Sequence, residues 1–437
     1  LTATQVICTF AQLQTNIHFM NSNLAVDNFS EIGKLKTVIL HTPGQEVANM
    51  TPENTEKALY SDILNLSIAK REHGHFENVL AKVSETVQLK TLLTEILKIK
   101  EVKSDLIYDI YNLPELEPLC EELENMEAEI LSSKIIEGLE IERNNLTNYL
   151  NTKRFIIQPL HNLFFMRDAS VSIGNDVLIS RMAGSVRKPE TLILDAIFKH
   201  HPRFGVKTIN IPEFHFKKRA LIEGGDVMVV RDDLLVIGMG ARTNSLGIDL
   251  LIEYYKSTGV NKHIIVQELP LTPESFIHLD MVFTILDREF CMVYEPVILS
   301  ATDLKTVHIH INEGSIQKIN DEKNLLDALK KRGLPLQPII CGGYDTWTQK
   351  REQWHSGTNF FSFAPGKIIG YARNLFTLEQ LSDNGFEVIK SIDVIENKVH
   401  PDQYQRCVIT FEGAELARGG GGARCMTMPV AREKVSW

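Results

Sequence analysis

Ser170-Val171-Ser172-Ile173-Gly174-Asn175-Asp176-Val177-Leu178-Ile179-Ser180 reads as two short apolar strands joined by a Gly-Asn-Asp turn. A helical pattern follows over residues 189–199. The same order recurs downstream: a strand over 226–230, a turn at Arg231-Asp232-Asp233, a strand over 234–238, then helical spacing over 245–257. Paired strands followed by a helix do not fit a parallel doubly wound sheet, and they predict a mixed α/β fold with antiparallel pairs. Further helices are expected over 321–332 and 377–384, with no sequence repeat visible.

Upstream, Leu35-Lys36-Thr37-Val38-Ile39-Leu40-His41 is strand-like and stops at Pro43-Gly44. Thr51-Pro52-Glu53 offers an N-cap with proline at N1, from which helical spacing carries through residues 69–73. A short strand over 86–89 comes next. Between 91 and 150 the character changes to Leu, Ile, Glu and Lys at three- and four-residue spacing, with Leu93, Ile96, Leu97, Ile130, Ile135 and Leu139 marking the apolar face. That stretch predicts a separate helical bundle inserted into the α/β chain, with Pro114 and Pro118 dividing its helices. The expected division is therefore an N-terminal extension over 1–29, a catalytic α/β domain over 30–90 and 151–437, and the bundle over 91–150. No Asp, Glu, Lys or Arg precedes Asp27, so residues 1–19 lack the basic region of a secretory signal and are expected to be non-functional, with Met20 an alternative start.

Of the 437 residues, 43% are hydrophobic and 23% charged, enough for a large core and a solvated shell. A net charge of −10 argues against a general nucleic-acid binder and is compatible with collecting a small cation. No apolar run is long enough to span a bilayer. Six scattered cysteines without a CxxC pair suggest a reducing compartment, with cytoplasm as the expectation.

Four segments concentrate polar residues in apolar surroundings: residues 162–168, 223–226, 278–280 and 419–429. Cys425 follows four glycines, which let backbone approach a ligand, and Arg424 beside it favours a thiolate. A buried structural cysteine is the competing reading. His278 and Asp280 face the same way if the segment is extended, placing an imidazole beside a carboxylate; an edge strand with a satisfied histidine is the alternative. Glu223 precedes two glycines, as expected of a carboxylate presented from a tight turn or of an ordinary turn. Asp168 either faces the site or pairs with Arg167, although strand neighbours point apart. His308-Ile309-His310 and His73-Gly74-His75 lack a third ligand, so no metal is expected. GxxxxGK[ST] and GxSxG are both absent. A cysteine enzyme without cofactor is the positive candidate.

Taken in order, these segments resemble arginine deiminase, of the guanidino-group-modifying pentein superfamily. The resemblance runs from about Ser30 to Trp437, from Ser30-Glu31-Ile32-Gly33 through Phe165-Met166-Arg167-Asp168, Glu223-Gly224-Gly225-Asp226, Gly238-Met239-Gly240-Ala241-Arg242-Thr243 and His278-Leu279-Asp280 to Ala423-Arg424-Cys425-Met426-Thr427-Met428-Pro429. It implies a five-bladed α/β propeller with an inserted helical bundle, and hydrolysis of L-arginine to L-citrulline and ammonia. In that reading Cys425 is the nucleophile, His278 the general acid and base, Asp168 and Asp280 grip the guanidinium, and Glu223 orients His278. Arg187 and Arg242 match positions that bind the substrate carboxylate, and Asn162 holds the α-amino end. Where many relatives carry an arginine five residues before the cysteine this chain has Gly420, leaving Arg418 or Arg424 as substitutes. Tyr371-Ala372-Arg373-Asn374 also carries alanine where an acidic residue is common. A homodimer or higher assembly is implied. Methylarginine, agmatine or peptidyl-arginine as substrate, and a catalytically silent arginine-binding protein, are the competing functions.

Overall fold

The computed structural model describes residues 25–55, 60, 62–111, 117–211, 219–300 and 303–437. The Gly-Asn-Asp turn closes the hairpin as read: Ser170–Ile173 pairs antiparallel with Asp176–Ile179, and Gly174 takes the positive φ of 64° that a side chain would resist. Helix Lys188–His200 then crosses over, and Thr208–Asn210 adds parallel to the second strand. A parallel neighbour requires such a crossover.

Four other sheets repeat this plan of an antiparallel pair, a helix and a parallel third strand. They are built on Val227–Arg231, Leu234–Met239 and Lys262–Glu268; on Phe283–Ile285, Phe290–Val293 and Gln337–Ile340; and on Phe361–Ala364, Lys367–Tyr371 and Cys407–Phe411. The last takes strands from both ends of the chain, with Met428–Arg432 antiparallel to Leu35–Leu40 and Glu85–Gln88 parallel to it. The hairpin Thr306–Asn312 and Ser315–Glu322 extends the second of these five sheets, and Glu387–Lys390 extends the fourth. The helix expected from Asp321 thus starts later, at Leu325, where Asn324 caps it; the strand pairing to Thr306 claims Asp321 and Glu322 first.

The helix expected to continue from Thr51-Pro52 is two elements. Pro52–Thr55 is one turn, and Leu66–Val83 starts afresh where the Asn65 side chain accepts from the Ser67 and Ile68 N–H groups. Its buried face is Ala69, Glu72, His73, Phe76, Val79 and Leu80.

Residues 89–137 form four helices: Leu89–Ile96, Lys100–Tyr111, Glu117–Asn125 and Ala128–Glu137. Pro118 stands in the first turn of the third, where a missing N–H is harmless; Pro114 lies outside the described residues. These helices share one apolar cluster with the α/β body: Leu92, Leu93 and Ile96 belong with Ile193, Ile197 and Phe198, and with the strand residues Val177 and Met428. Residues 1–24 lie outside the described residues. Residues 25–29, assigned to the extension from sequence, are packed: Asn28 exchanges backbone hydrogen bonds with Gly174 and donates its amide to Ser172 O at 3.0 Å.

Candidate active site

The chain enters the first strand of every unit through a tight segment, and each of these five entries carries one or more polar residues. Asp168 lies in the turn Met166–Ala169, and Glu223 precedes Gly224–Asp226. His278 and Asp280 flank Leu279 in the turn Leu279–Met281, Asn359 precedes Phe361–Ala364, and Cys425 precedes Met428–Arg432. Close approach is enforced by glycine: a Cβ at Gly224 would lie 2.1 Å from Arg167 O, and one at Gly225 would lie 2.4 Å from His278 Nδ1. One cleft is lined by Asn162, Phe165, Asp168, Arg187, Arg242, Ile277, His278, Gly419, Gly420, Gly421 and Cys425. It shares Arg242, Ile277, Gly419 and Gly420 with an outer chamber of about 400 Å³. At Gly420 an added Cβ would meet nothing within 4 Å, so this wall of the cleft is open.

His278 Nε2 lies 2.9 Å from Glu223 Oε2, whose other oxygen accepts from the Ala183 N–H at 2.7 Å. His278 Nδ1 lies 3.5 Å from Asp168 Oδ1. Asp168 Oδ2 accepts from Arg187 Nη1 at 2.6 Å, and Asp280 Oδ2 from Arg424 Nη1 at 2.9 Å. Each aspartate thus has one oxygen bound to an arginine; the other, Oδ1, is buried without a hydrogen-bond partner among the described residues. Two buried anionic acceptors without donors are costly, and a cation with several N–H groups relieves both at once. Cys425 Sγ is 3.7 Å from Asp280 Oδ2 and 3.3 Å from Asn359 Nδ2.

Electrostatics follow from this packing. Burial pushes the Cys425 thiol well above its usual value, and Asp280 and Asp168 push it further. Arg424 lowers it, as its place beside the cysteine leads one to expect, but by less than burial and the two aspartates raise it. Burial alone would lower the His278 pKa, but Asp168, Glu223 and Asp226 outweigh it and raise it to about 9. The imidazole is therefore protonated at neutral pH. Asp168 is buried, which would raise its pKa, yet Arg187 and His278 hold it below the ordinary carboxylate range. Burial raises Asp226 to about 7, and its Oδ1 accepts from the Leu279 N–H at 2.9 Å, pinning the turn between His278 and Asp280.

The arginines sort differently from the sequence expectation. Arg424 does not face the cleft as a substrate cation: all five of its donors are committed, to Glu31, Asp280, Gly225 O and Val227 O. Arg418 is diverted outward, its side chain 42% exposed and paired with Asp62 and Glu415. Neither stands in for a side chain at Gly420. Arg187 lines the cleft, with donors on Asp168, Glu190 and the carbonyls of Asn162 and Phe165, which leaves one Nη1 N–H. Arg242 is half-buried, lines both chambers and makes no ion pair among the described residues. His278-Leu279-Asp280 is a turn, not an edge strand, and Met166–Ala169 is a helical turn; in both, the polar residues still reach the site because Leu279 and Met166 take the buried apolar positions. Arg167 points away from Asp168, to Thr427 Oγ1 at 3.1 Å.

Asn359, Glu31 and Glu190 were given no role from sequence. Glu31 sat in the quoted opening motif, but its partner lies 393 residues away. Asn359 carried no signal beyond its place before a strand. His308 and His310 stand with His263, whose Nδ1 is 3.0 Å from His308 Nε2, and His73 and His75 lie on a helix. Among the described residues, no group of three or more His, Cys, Asp or Glu is arranged to hold a metal ion. No helix among them is long and apolar enough to cross a membrane.

Fold and site together define a class: a mixed α/β pentein-fold protein with a buried cysteine between carboxylates. Among solved structures, the N-terminal domain of ArgZ bound to product, an arginine dihydrolase from cyanobacteria, matches with a TM-score of 0.50 at 14% identity, covering 91% of this chain and 97% of that one. A mutant of AgrE in binary complex with L-arginine matches with a TM-score of 0.52 at 13% identity, covering 92% and 40%. Both likenesses are of fold. In sequence, the arginine deiminase family model matches residues 56–432. Arginine deiminases of Clostridium perfringens and Staphylococcus aureus are 31% and 32% identical, covering 95% and 93% of this chain and 100% and 98% of their own lengths. The chain belongs to the arginine deiminase family.

Proposed function

We propose that this protein hydrolyses free L-arginine to L-citrulline and ammonia through a covalent intermediate on Cys425. The observation that supports this reading is the pair of buried oxygens without a hydrogen bond among the described residues, Asp168 Oδ1, which has only the His278 ring at 3.5 Å, and Asp280 Oδ1, in a site that also holds the Cys425 sulfur. A planar guanidinium satisfies both through its N–H groups and presents its central carbon to Sγ. Its charge offsets the two aspartates and favours the thiolate, so the nucleophile forms as substrate binds and the thiol proton leaves to solvent.

Thiolate attack on the guanidinium carbon gives a neutral tetrahedral adduct. His278, protonated and held by Glu223, gives a proton to the departing nitrogen; the C–N bond breaks, ammonia leaves and a thiouronium cation remains. Neutral His278 then takes a proton from water as its oxygen bonds to the same carbon. The C–S bond breaks, returning the thiolate, and citrulline leaves after losing its extra proton. Arg242 and the spare Arg187 N–H meet the substrate carboxylate, and Asn162 the α-amino end. Paired arginines favour the free amino acid over agmatine, which has no carboxylate.

The five like units form blades of a closed five-bladed propeller, completed where Leu35–Leu40 pairs with Met428–Arg432, with 91–150 inserted as a helical bundle. A homodimer or higher assembly and a cytoplasmic location complete the reading; all five described cysteines are free thiols, which supports a reducing compartment. The test is ammonia release from arginine and from agmatine by wild type and Cys425→Ala, with citrulline identified as the arginine product. Release by wild type alone, and from arginine far better than agmatine, is the expected result; undiminished release by Cys425→Ala contradicts it.

A further inference from the structure

Asn359 reaches the nucleophile from behind the cleft and is 1% exposed. Its Oδ1 accepts from the backbone N–H groups of Arg424 at 2.9 Å and Cys425 at 3.2 Å. Its Nδ2 donates to Asp280 O at 3.2 Å and lies 3.3 Å from Cys425 Sγ. The glycine run is closed down on this amide, since a Cβ at Gly422 would fall 2.7 Å from both the Cβ and the Oδ1 of Asn359. One side chain therefore ties the cysteine loop to the Asp280 turn.

Oδ1 holds the cysteine loop and one Nδ2 N–H holds the Asp280 turn, which leaves the second Nδ2 N–H toward two sulfurs, Cys425 Sγ at 3.3 Å and Met281 Sδ at 3.6 Å. On the Cys425 side the Asp280 carboxylate also stands 3.7 Å from Sγ. An anion forming at Sγ is opposed by that carboxylate, and an N–H directed at it is a charge-assisted bond that exists fully only once the proton has left. We infer that Asn359 is a positioning residue that fixes Sγ against Asp280 and stabilises the thiolate through Nδ2. This rests on Cys425 being the nucleophile, and it assigns part of the nucleophile's activation to the unit that contributes none of the acid, base or guanidinium-gripping groups.

The test is the pH dependence of iodoacetamide alkylation of Cys425 in wild type, Asn359→Ala and Asn359→Ser, without arginine and with Cys425→Ala as blank. Loss of the donor raises the apparent thiol pKa by about one unit, so alkylation at a fixed pH below it is about tenfold slower. Citrulline assays then show kcat reduced and KM for arginine little changed. An alkylation profile that matches wild type in a folded variant overturns the inference, even if the variant melts at a lower temperature. Should Asn359→Ala not fold, the smaller cut in Asn359→Ser decides. Alkylation does not require turnover, so a wild type that alkylates but makes no citrulline defeats the proposed function while leaving Asn359 to be judged.

Discussion

The two aspartates of the site are held by relays of the same design and opposite character. Glu190 holds Arg187, which holds Asp168; Glu31 holds Arg424, which holds Asp280. The first relay is local, with Arg187 three residues from Glu190 and 19 from Asp168, and it lines the cleft with one donor to spare. The second spans 393 and 144 residues, has every donor committed, and lies behind the cysteine. Burial and the neighbouring Asp168 and Glu223 push Glu190 above its usual pKa despite Arg187, whereas Arg424 and Arg167 overcome burial and hold Glu31 at about 2. One relay lines the cleft with a donor left over; each has two carboxylates to one arginine, but Arg167 and Arg432 add positive charge beside Glu31 in the second. The second is a closed brace that joins the ends of the chain to the middle.

Cutting the two aspartates proposed to grip the guanidinium is expected to have the largest effect. Asp168→Asn and Asp280→Asn each lower kcat/KM for arginine by about 10³-fold or more, by analogy with removal of a preorganised charge-stabilising group. The Asp280 variant falls less far, because the substitution also removes the negative charge 3.7 Å from Sγ that opposes the thiolate. Equal losses by steady-state citrulline release break the comparison.

Next comes stability. Glu31→Gln strands a buried arginine and costs about 3 kcal/mol in urea unfolding, the range for breaking a buried pair. Glu190→Gln costs clearly less, because the folded protein already disfavours that charge.

The signs of the pH effects differ as well. Glu31 has a folded pKa below its ordinary 4.5, so its contribution is present above 4.5 and is lost as pH falls toward about 2. Glu190, with a raised folded pKa, contributes most below 4.5 and loses that contribution as pH rises through its folded value. Acid unfolding of Glu31→Gln therefore lacks part of the wild-type slope, and acid unfolding of Glu190→Gln steepens. His278 contributes fully below its ordinary 6.5 and less as pH rises through about 9, where loss of the general acid also lowers kcat.

Arg418→Ala is expected to have the smallest effect. Its exposed pairing with Asp62 and Glu415 lies outside the cleft, so kcat/KM stays within about twofold of wild type. A fall of a hundredfold would return Arg418 to the substrate.

Sequence singled out Asp168 and Arg187 of the local relay but not Glu190, and Asp280 and Arg424 of the distant one but not Glu31. Period-two strands, Gly-containing turns and capped helices identified the hairpin and helix of the first units, because those signals lie within a few residues. Cys425, His278, Asp280, Asp168 and Glu223 could be singled out because each stands beside glycine or in an apolar run. Whether a charged side chain faces a ligand or a brace is a property of packing: Arg424 and Arg187 read alike until their partners are placed. Asn359 is a neutral residue without motif or charge, and only the closure of the glycine loop on its amide reveals it.

The most direct test of the account is to mix the protein with L-arginine, quench in acid within a turnover and weigh the peptide bearing Cys425. The account predicts that this peptide gains the mass of arginine less ammonia, and that Cys425→Ala shows no adduct. Citrulline accumulating without any adduct at Cys425, or with one on another cysteine, would contradict it.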